Sequence, residues 1–139
     1  MKKKTFYGTQ GPYLTVYCWF KFKLFRVVSI CFHYFHRPAE DPDCHDHPFH
    51  FFTLVLWGGY FEEFPDGTVR HMKWTSFGFR RARFLHRIRF VERNTWTLCI
   101  KISPKIPRLW GFATKDGWVW WKDYIKAKGL EPVNGDIVE

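Results

Sequence analysis

The sequence lacks an apolar run long enough to cross a membrane. Its opening residues resemble a basic leader followed by an apolar segment, but Lys21 and Lys23 interrupt that segment. The interruption falls well short of the roughly 20 apolar residues that a membrane-spanning helix needs. We therefore interpret this stretch as a β-strand and expect a cytoplasmic protein with no membrane partner.

Paired-cysteine motifs are also missing from the sequence. The chain has four cysteines, none in a CxxC pair or at zinc-finger spacing: Cys18, Cys31, Cys44 and Cys99. We expect them to be separate thiols in a reducing compartment. Of the four, only Cys44 stands next to residues that could be reactive.

Acidic side chains are absent from residues 1–37, although lysine and arginine are frequent there. The stretch from Arg70 to Arg93 is also strongly basic, and the net charge is +9. Such a charge fits either an anionic partner or a solvated basic surface. For the arginines of residues 81–89, where no aromatic residues form a stacking platform, we favour a solvated face over a nucleic-acid partner.

Helical periodicity is scarce, and alternation with a period of two dominates instead, which predicts strands with one buried face. A Gly58-Gly59 break divides one of these runs, and Asp66-Gly67 is a hairpin signal. The predicted strands cover residues 14–24, 27–36, 52–64, 82–90 and 95–102. Many short strands separated by turns predict an all-β sandwich or small barrel.

A chain of 139 residues is sufficient for one domain. We divide it into a basic segment (1–12), a β-barrel domain (13–129) and a loosely held tail (130–139). Near the end, Trp118, Trp121 and Ile125 recur at helical spacing and Gly129 supplies a stop, which predicts a short helix or an irregular cover over the barrel.

Two histidines, His45 and His47, stand one residue apart before an apolar run. On an extended segment their imidazoles point to the same side and can reach one metal ion at about 2.0–2.1 Å. Pro48 then prevents ordinary strand pairing. An HxH pair alone supplies half of a metal site and is equally typical of a polar turn.

A third histidine strengthens the metal interpretation. His86 is the one polar residue on a predicted strand face that otherwise carries apolar side chains: Ala82, Phe84, Ile88 and Phe90. A lone histidine in such a place is commonly a satisfied core residue. With an HxH pair elsewhere, we predict a metal site formed by His45, His47 and His86. We assign no role to His33, His36 or His71.

An HxH motif, a glycine about a dozen residues later and a single histidine on a later strand resemble the two motifs of the cupins. This resemblance implies an antiparallel jelly-roll β-barrel that holds a metal ion inside. The first cupin motif usually has a glutamate where this chain has Phe52. Three histidines without that glutamate resemble the thiol dioxygenases such as cysteine dioxygenase, with HDH at 45–47, HRI at 86–88 and SP at 103–104. That likeness implies iron(II), although Ile102 replaces the tyrosine that precedes the SP pair in that family.

The overall layout is most similar to a family of small cupin-like proteins of bacteria and their phages. The shared motifs run from about Tyr13 to Tyr124 and read HDHPF, GGYFEE, HRI, TWTL, WGF and GWVWW in this chain. This resemblance implies a cupin fold with a divalent metal. Iron(II) is favoured, and nickel, manganese or zinc are the alternatives.

Five further residues are candidates around the site, each with an alternative role. Asp46 either orients an imidazole or is a turn acid facing solvent. Glu62 either replaces the missing carboxylate near the metal or is an exposed hairpin acid paired with an arginine. Tyr60 is a candidate proton donor or a packed aromatic residue. Arg81 is a candidate pocket residue. His50 is either an extra ligand or a surface or packing residue.

Several functions fit these expectations. The first is an iron(II)-dependent, dioxygenase-like enzyme acting on a small substrate. The second is a non-catalytic phage or bacterial binder that sequesters an anionic metabolite or nucleotide. In the third, the metal only stabilises the fold. We also expect a homodimer, because 16 Phe and 8 Trp are too many for one small core.

Overall fold

A computed structural model describes residues 1–23 and 25–129; the predicted tail, 130–139, lies outside the described residues. The elements are β1 (Lys2–Gly8), β2 (Gly11–Lys23), β3 (Val27–Phe35), β4 (Cys44–His45), β5 (His50–Trp57), β6 (Gly59–Glu63), β7 (Val69–Lys73), β8 (Phe77–Arg80), β9 (Arg87–Val91), β10 (Thr95–Ile102), β11 (Gly111–Thr114), β12 (Gly117–Trp120) and α1 (Trp121–Ala127). Within these residues no helix has the length and apolar character to span a membrane.

The strands form one large sheet and two small ones. The large sheet has the order β1-β2-β3-β10-β5-β8, and the small sheets have the orders β12-β11-β4 and β7-β6-β9. Their strand pairs are antiparallel. An isolated bridge between His45 and His86 joins the two small sheets. The predicted antiparallel all-β fold with a short terminal helix is thus confirmed.

Two apolar clusters hold these layers together. One contains Val55, Tyr60 and Met72 and packs β5 against β6 and β7. The other contains Trp110 and Phe112, on which the Tyr124 side chain of α1 packs. The helix therefore covers the end of the β12-β11-β4 sheet, in agreement with its predicted role as a cover.

Residues 1–12, which we set apart as a basic segment, contribute a strand to the large sheet. Lys2 lies opposite Cys18, and the pairing continues along β1 and β2 as far as Gly8 opposite Gly11. The basic beginning of the chain is therefore part of the same sheet as the predicted barrel domain.

The two predicted turns are confirmed. Gly58 has φ +68° and Gly67 has φ +84°, a left-handed region that glycine adopts without strain. At Gly58 lack of space also excludes a side chain, because a Cβ atom would lie 2.5 Å from the Thr95 hydroxyl oxygen.

The first predicted strand exists as β2. The prediction that its alternate residues share one buried face along the whole strand is wrong. The pairing of β2 with β3 shifts between Cys18 and Phe20, so Trp19 forms a bulge. A bulge of one residue reverses the alternation of side chains. Phe20 and Phe22 consequently leave the face that carries Cys18 and are 63% and 47% exposed.

β10 turns its more polar face to the interior. Thr95, Thr97 and Cys99 are buried there, while Trp96 lies on the opposite face with its ring centroid 4.8 Å from that of Tyr34. The alternation of apolar and polar residues predicted two faces correctly. It could not identify the inner one, because aromatic packing covers the outer face.

The predicted strand over residues 82–90 is shorter in the structure. A turn closed by the Phe84 N–H on the Arg81 carbonyl (2.9 Å) precedes it, and β9 begins only after His86. Ala82 and His86 are buried as predicted, but Phe90 is 54% exposed. The turn removes the first half of the predicted strand, and an extra residue in β9, Arg89, reverses the alternation between Ile88 and Phe90.

The terminal helix is also shorter than predicted. Gly117, with φ +109°, closes a tight turn between β11 and β12, so Trp118 lies on a strand and not on a helix face shared with Trp121. Ile125 is buried in α1, and Gly129 follows the helix with φ +72°. The predicted glycine stop is therefore confirmed, and the predicted start is wrong.

Two of the four cysteines are joined in a disulfide, so the prediction of four separate thiols is wrong. Cys18 and Cys31 lie opposite each other in the β2–β3 pair, with Cα atoms 4.1 Å apart. Strand register, which no spacing motif reveals, brings them together. Cys44 and Cys99 are buried free thiols. The disulfide weighs against the expectation of a cytoplasmic protein, because disulfides persist mainly in oxidising environments. That expectation therefore stays a prediction.

We predict that Cys18→Ser lowers the free energy of unfolding by about 2–4 kcal/mol, because it releases the unfolded chain from a short closed loop. Urea denaturation measures this change. Cys44→Ser is the matched control and should retain the wild-type response to reductant. Equal stability of the wild-type protein with and without reductant would contradict the prediction.

Candidate metal centre

Three histidines from two distant segments meet between the small sheets. His45 ends β4, and two backbone hydrogen bonds of 2.9 and 3.1 Å tie it to His86, just before β9. The His47 N–H donates to the Ala82 carbonyl at 2.8 Å, which keeps the HxH segment extended beside the second segment. This backbone pairing brings His86 to the side on which His45 and His47 project together.

The three imidazoles form a compact triangle. The ring centroid of His45 lies 4.9 Å from that of His47 and 5.0 Å from that of His86, and the third side is 4.9 Å. One ligand nitrogen from each ring lies within 4.8 Å of the others. The Nε2 atoms of His47 and His86 are 3.3 Å apart. Metal–nitrogen bonds of about 2.0–2.1 Å require such close nitrogens, so the cluster fits a divalent ion.

Burial keeps the imidazoles of His45 and His47 neutral. It lowers the pKa of His45 to about 3, with a smaller contribution from the charge of His86. Burial lowers the pKa of His47 well below its usual value in the same way. Within the described residues, His47 Nδ1 is buried without a hydrogen-bond partner. Neutral imidazoles offer the lone pairs that metal ligation needs.

The carboxylate of Glu62 contacts the Nδ1 atom of the His86 ring. It lies 2.5 Å from His86 Nδ1 and accepts a hydrogen bond from Arg80 Nη2 at 2.7 Å. Burial by itself raises the pKa of Glu62, but the hydrogen bonds from His86 and Arg80 prevail and lower it to about 2. The resulting carboxylate accepts a hydrogen bond from the Nδ1–H group of His86 and leaves the Nε2 lone pair available to a metal.

Both the predicted exposure of Glu62 and its alternative as a metal ligand need correction. The residue is 2% exposed, because β6 is the central strand of its sheet and its regular alternation places Glu62 on the same inward face as Tyr60. Its predicted pairing with an arginine is found, with Arg80 as the partner. The group of potential ligands in the described part of the chain comprises the histidines and not Glu62.

A cavity of about 210 Å³ opens from the histidine cluster into the interior of the fold. Aromatic rings form its wall beside the cluster: the centroids of Phe51 and Phe49 lie 4.7 and 5.7 Å from that of His47. Trp110 also lines the cavity and lies 6.3 Å from the His45 ring. A small molecule in this cavity would be near the histidines and shielded from bulk water.

No protein-family model matches the chain, and no curated protein matches its sequence. Solved structures do match in three dimensions. A cupin-like protein from Thermotoga maritima matches with a TM-score of 0.50 and 16% identity, over 91% of this chain and 95% of that one. The iron(II) form of HppE matches with a TM-score of 0.56 and 11% identity, over 73% of this chain and 55% of the longer HppE chain. The chain has a cupin fold.

The structure also shows what stands at the position where the first cupin motif usually has a glutamate. Phe52, which occupies that position, is 43% exposed, whereas its neighbour Phe51 points inward against His47. The carboxylate nearest the cluster comes from Glu62, which touches His86. It lies behind a ligand and is not itself one of the clustered donors.

Asp46 is buried but does not orient an imidazole, so both roles considered for it are wrong. Its carboxylate accepts hydrogen bonds from Arg108 Nη2 (2.8 Å), the Gly111 N–H (2.7 Å) and Trp118 Nε1 (3.2 Å). Side chains alternate along an extended segment, so Asp46 points away from the side that carries His45 and His47. It anchors the chain before β11 to the HxH segment.

The other candidates occupy distinct places. Arg81 is exposed and does not line the cavity, so its prediction as a pocket residue is wrong. Arg80, the last residue of β8, reaches Glu62 instead. His50 Nδ1 accepts the Ala82 N–H at 3.0 Å and lies outside the cluster. Tyr60 lines the cavity, and burial raises the pKa of its hydroxyl.

Several polar cavity residues escaped the sequence reasoning, and two of them matter for the wall opposite the cluster. His33, to which no role was assigned, lines the cavity from β3, and Lys101 lines it from β10. Lys101 shares the Thr95, Thr97 and Cys99 face, whose inward orientation the pattern could not reveal. The signal available in the sequence was the alternation that places Lys101 on the same strand face as Thr95 and Thr97.

We predict that His86→Ala removes most of the bound metal, whereas His50→Ala and His33→Ala retain it. The first change deletes a clustered donor, and the other two lie outside the cluster. Elemental analysis after loading with iron(II), nickel, manganese or zinc measures the difference. Equal metal content in the three variants, or none in the wild-type protein, would show that the site is wrongly assigned.

Glu62→Gln tests the support behind His86. Loss of the accepting carboxylate should weaken metal binding by about 10–100-fold while leaving the number of sites unchanged. Competition with a chelator measures the affinity. Glu92→Gln is the matched control, since Glu92 pairs with His71 at 2.8 Å, away from the cluster. The same affinity in both variants would contradict this role.

Proposed function

We propose that this cupin binds iron(II) through His45, His47 and His86 and acts as a dioxygenase-like enzyme on a small substrate held in the adjoining cavity. The observation that carries the proposal is the convergence of three imidazoles at one end of a cavity. A site with three protein ligands keeps positions open for other molecules. The iron(II) form of HppE, which matches in fold, supports the choice of metal.

Bound iron(II) would supply a Lewis-acidic, redox-active centre that can accept a substrate and dioxygen. The chain itself orients the ligands: Glu62 keeps the proton on Nδ1 of His86, and Arg80 compensates the carboxylate charge. The rings of Phe49 and Phe51 exclude water from the side of the cavity next to His47.

Tyr60 is the candidate proton donor of this cavity. Burial, reinforced by the charge of Glu62, raises the pKa of its hydroxyl, so the side chain keeps its proton at neutral pH. Its ring packs against Phe35, with centroids 5.5 Å apart, which restricts its orientation. A fixed, neutral hydroxyl at a cavity wall suits donation of a hydrogen bond to a bound substrate.

A second candidate function is capture of an anionic metabolite without chemistry. The basic side chain of Lys101 in the cavity favours it, because a buried ammonium can hold an anion whether or not a reaction follows. The cavity volume of about 210 Å³ favours a small metabolite over a nucleotide.

We predict that the iron(II)-loaded protein consumes oxygen when one member of a panel of small thiols and carboxylic acids is added, and that His86→Ala does not. An oxygen electrode measures uptake, with His50→Ala as the matched control. A metal-loaded protein that consumes no oxygen but releases an intact small molecule on denaturation would favour capture over catalysis.

We also propose a homodimer formed through an aromatic face at the edge of the large sheet. β8 is an edge strand, and its Phe77 and Phe79 side chains are 69% and 46% exposed. Phe52 of β5 continues this face, with its ring centroid 4.7 Å from that of Phe79. A second copy presenting the same edge would bury these rings and pair the free strand edges.

The dimer has a direct test. Light scattering at micromolar concentration should give twice the 16.9 kDa chain mass. Phe79→Lys should give the monomer mass and keep its metal, whereas Phe90→Lys, at an exposed ring of β9, should remain dimeric. A monomer mass for the wild-type protein would refute the proposal.

A further inference from the structure

Lys101 is a basic wall residue of a cavity whose lining also includes Arg37, Arg87, Asp41 and Asp43. The two carboxylates have other partners, Lys128 for Asp41 and the Tyr124 hydroxyl for Asp43. Lys101 projects from the inner face of β10, opposite Phe51 of β5, and its Nζ atom lies 4.9 Å from the Phe49 ring centroid. No carboxylate pairs with it among residues 1–23 and 25–129. The arginines that line the cavity are already engaged, Arg37 with Glu40 and Arg87 with Glu63.

Two further polar atoms of the same wall lack partners in the described structure. His33 Nε2 and Thr97 Oγ1 are both buried without a hydrogen bond. The two residues lie directly opposite each other in the β3–β10 pair, so their side chains share the inner face with Lys101. Buried polar groups are rarely left unsatisfied unless a ligand or water completes them.

The histidine cluster is close to this polar wall. The Phe49 ring lies between them, with its centroid 4.9 Å from Lys101 Nζ and 5.7 Å from the His47 centroid. The positive charge of Lys101 also lowers the pKa of both His33 and His47, after the larger effect of burial. One small molecule can therefore touch both ends of the cavity.

The electrostatics of the wall favour an anion. Burial lowers the pKa of the Lys101 ammonium, and the charge of Lys4 lowers it further. A buried cation without a carboxylate beside it is unfavourable, and an oxyanion on it would restore the missing interaction. The cavity thus combines aromatic walls with a positive charge at one end that no carboxylate of the described residues compensates.

We propose that Lys101 is the anion-binding residue of the cavity, where it holds a carboxylate or phosphate ester group while the rest of the ligand extends to the histidines. His33 and Thr97 complete the polar wall, and Phe49 separates the charged end from the cluster. This inference deepens the proposed function by naming the class of ligand, a small organic anion. It also applies to capture without chemistry.

The test uses propionate, methyl phosphate and the neutral propionamide as probes, with titrations followed by NMR. We expect at least one of the anions to bind the wild-type protein, in both its metal-free and its zinc-loaded forms. Lys101→Gln should weaken that binding about tenfold or more and leave propionamide unaffected. The matched control, Lys105→Gln, changes an exposed lysine outside the cavity and should bind as the wild type does.

Metal binding is measured in parallel, so the two proposals fail separately. Anion binding that Lys101→Gln abolishes in metal-free protein supports the inference even if no metal binds to the histidines. Binding that requires zinc, is lost in His86→Ala and is unchanged in Lys101→Gln overturns it and places the anion on the metal. Absence of binding of both anions to the wild-type protein, or equal affinity for propionate and propionamide, also overturns it. Thermal unfolding verifies that each variant is folded.

Discussion

The candidate site depends on one short backbone pairing. The two hydrogen bonds between His45 and His86 join the β12-β11-β4 sheet to the β7-β6-β9 sheet. Without this bridge the HxH segment and the third histidine would belong to separate sheets. The His47 N–H also donates to the Ala82 carbonyl. These few main-chain hydrogen bonds place one ligand nitrogen of each imidazole within 4.8 Å of the others.

The buried charges around the cluster are linked to the fold in the same way. Glu62 is compensated by Arg80 and hydrogen-bonded to His86, so the ion pair that orients a ligand also satisfies a buried carboxylate. Removing one partner from such a pair leaves an uncompensated buried charge, which costs about 3–5 kcal/mol. Stability and ligand orientation are therefore coupled at Glu62, whereas Lys101 carries its charge without such a partner.

The high aromatic content has two structural uses in this chain. Inside, Phe49 and Phe51 shield the cavity beside His47. Outside, Tyr34 and Trp96 cover the large sheet, and exposed rings remain on β5 and β8. Since aromatic residues cover both faces of the large sheet, hydrophobicity alone does not distinguish the interior from the exterior here. The more polar face of β10 consequently points inward.

The sequence by itself determined what depends on local chemistry. Alternation predicted the strands, the glycines at 58, 67 and 129 predicted turns and a helix stop, and HxH with an isolated histidine indicated the cluster. Tertiary structure decided whatever depends on register. The Trp19 bulge reversed a face, the β2–β3 pairing joined Cys18 to Cys31, and an extra residue in β9, Arg89, turned Phe90 outward. Lys101 became a cavity residue in the same way. A shift of one residue exchanges the two faces of a strand while the sequence pattern stays the same, so only the packed sheets determine which side chains meet.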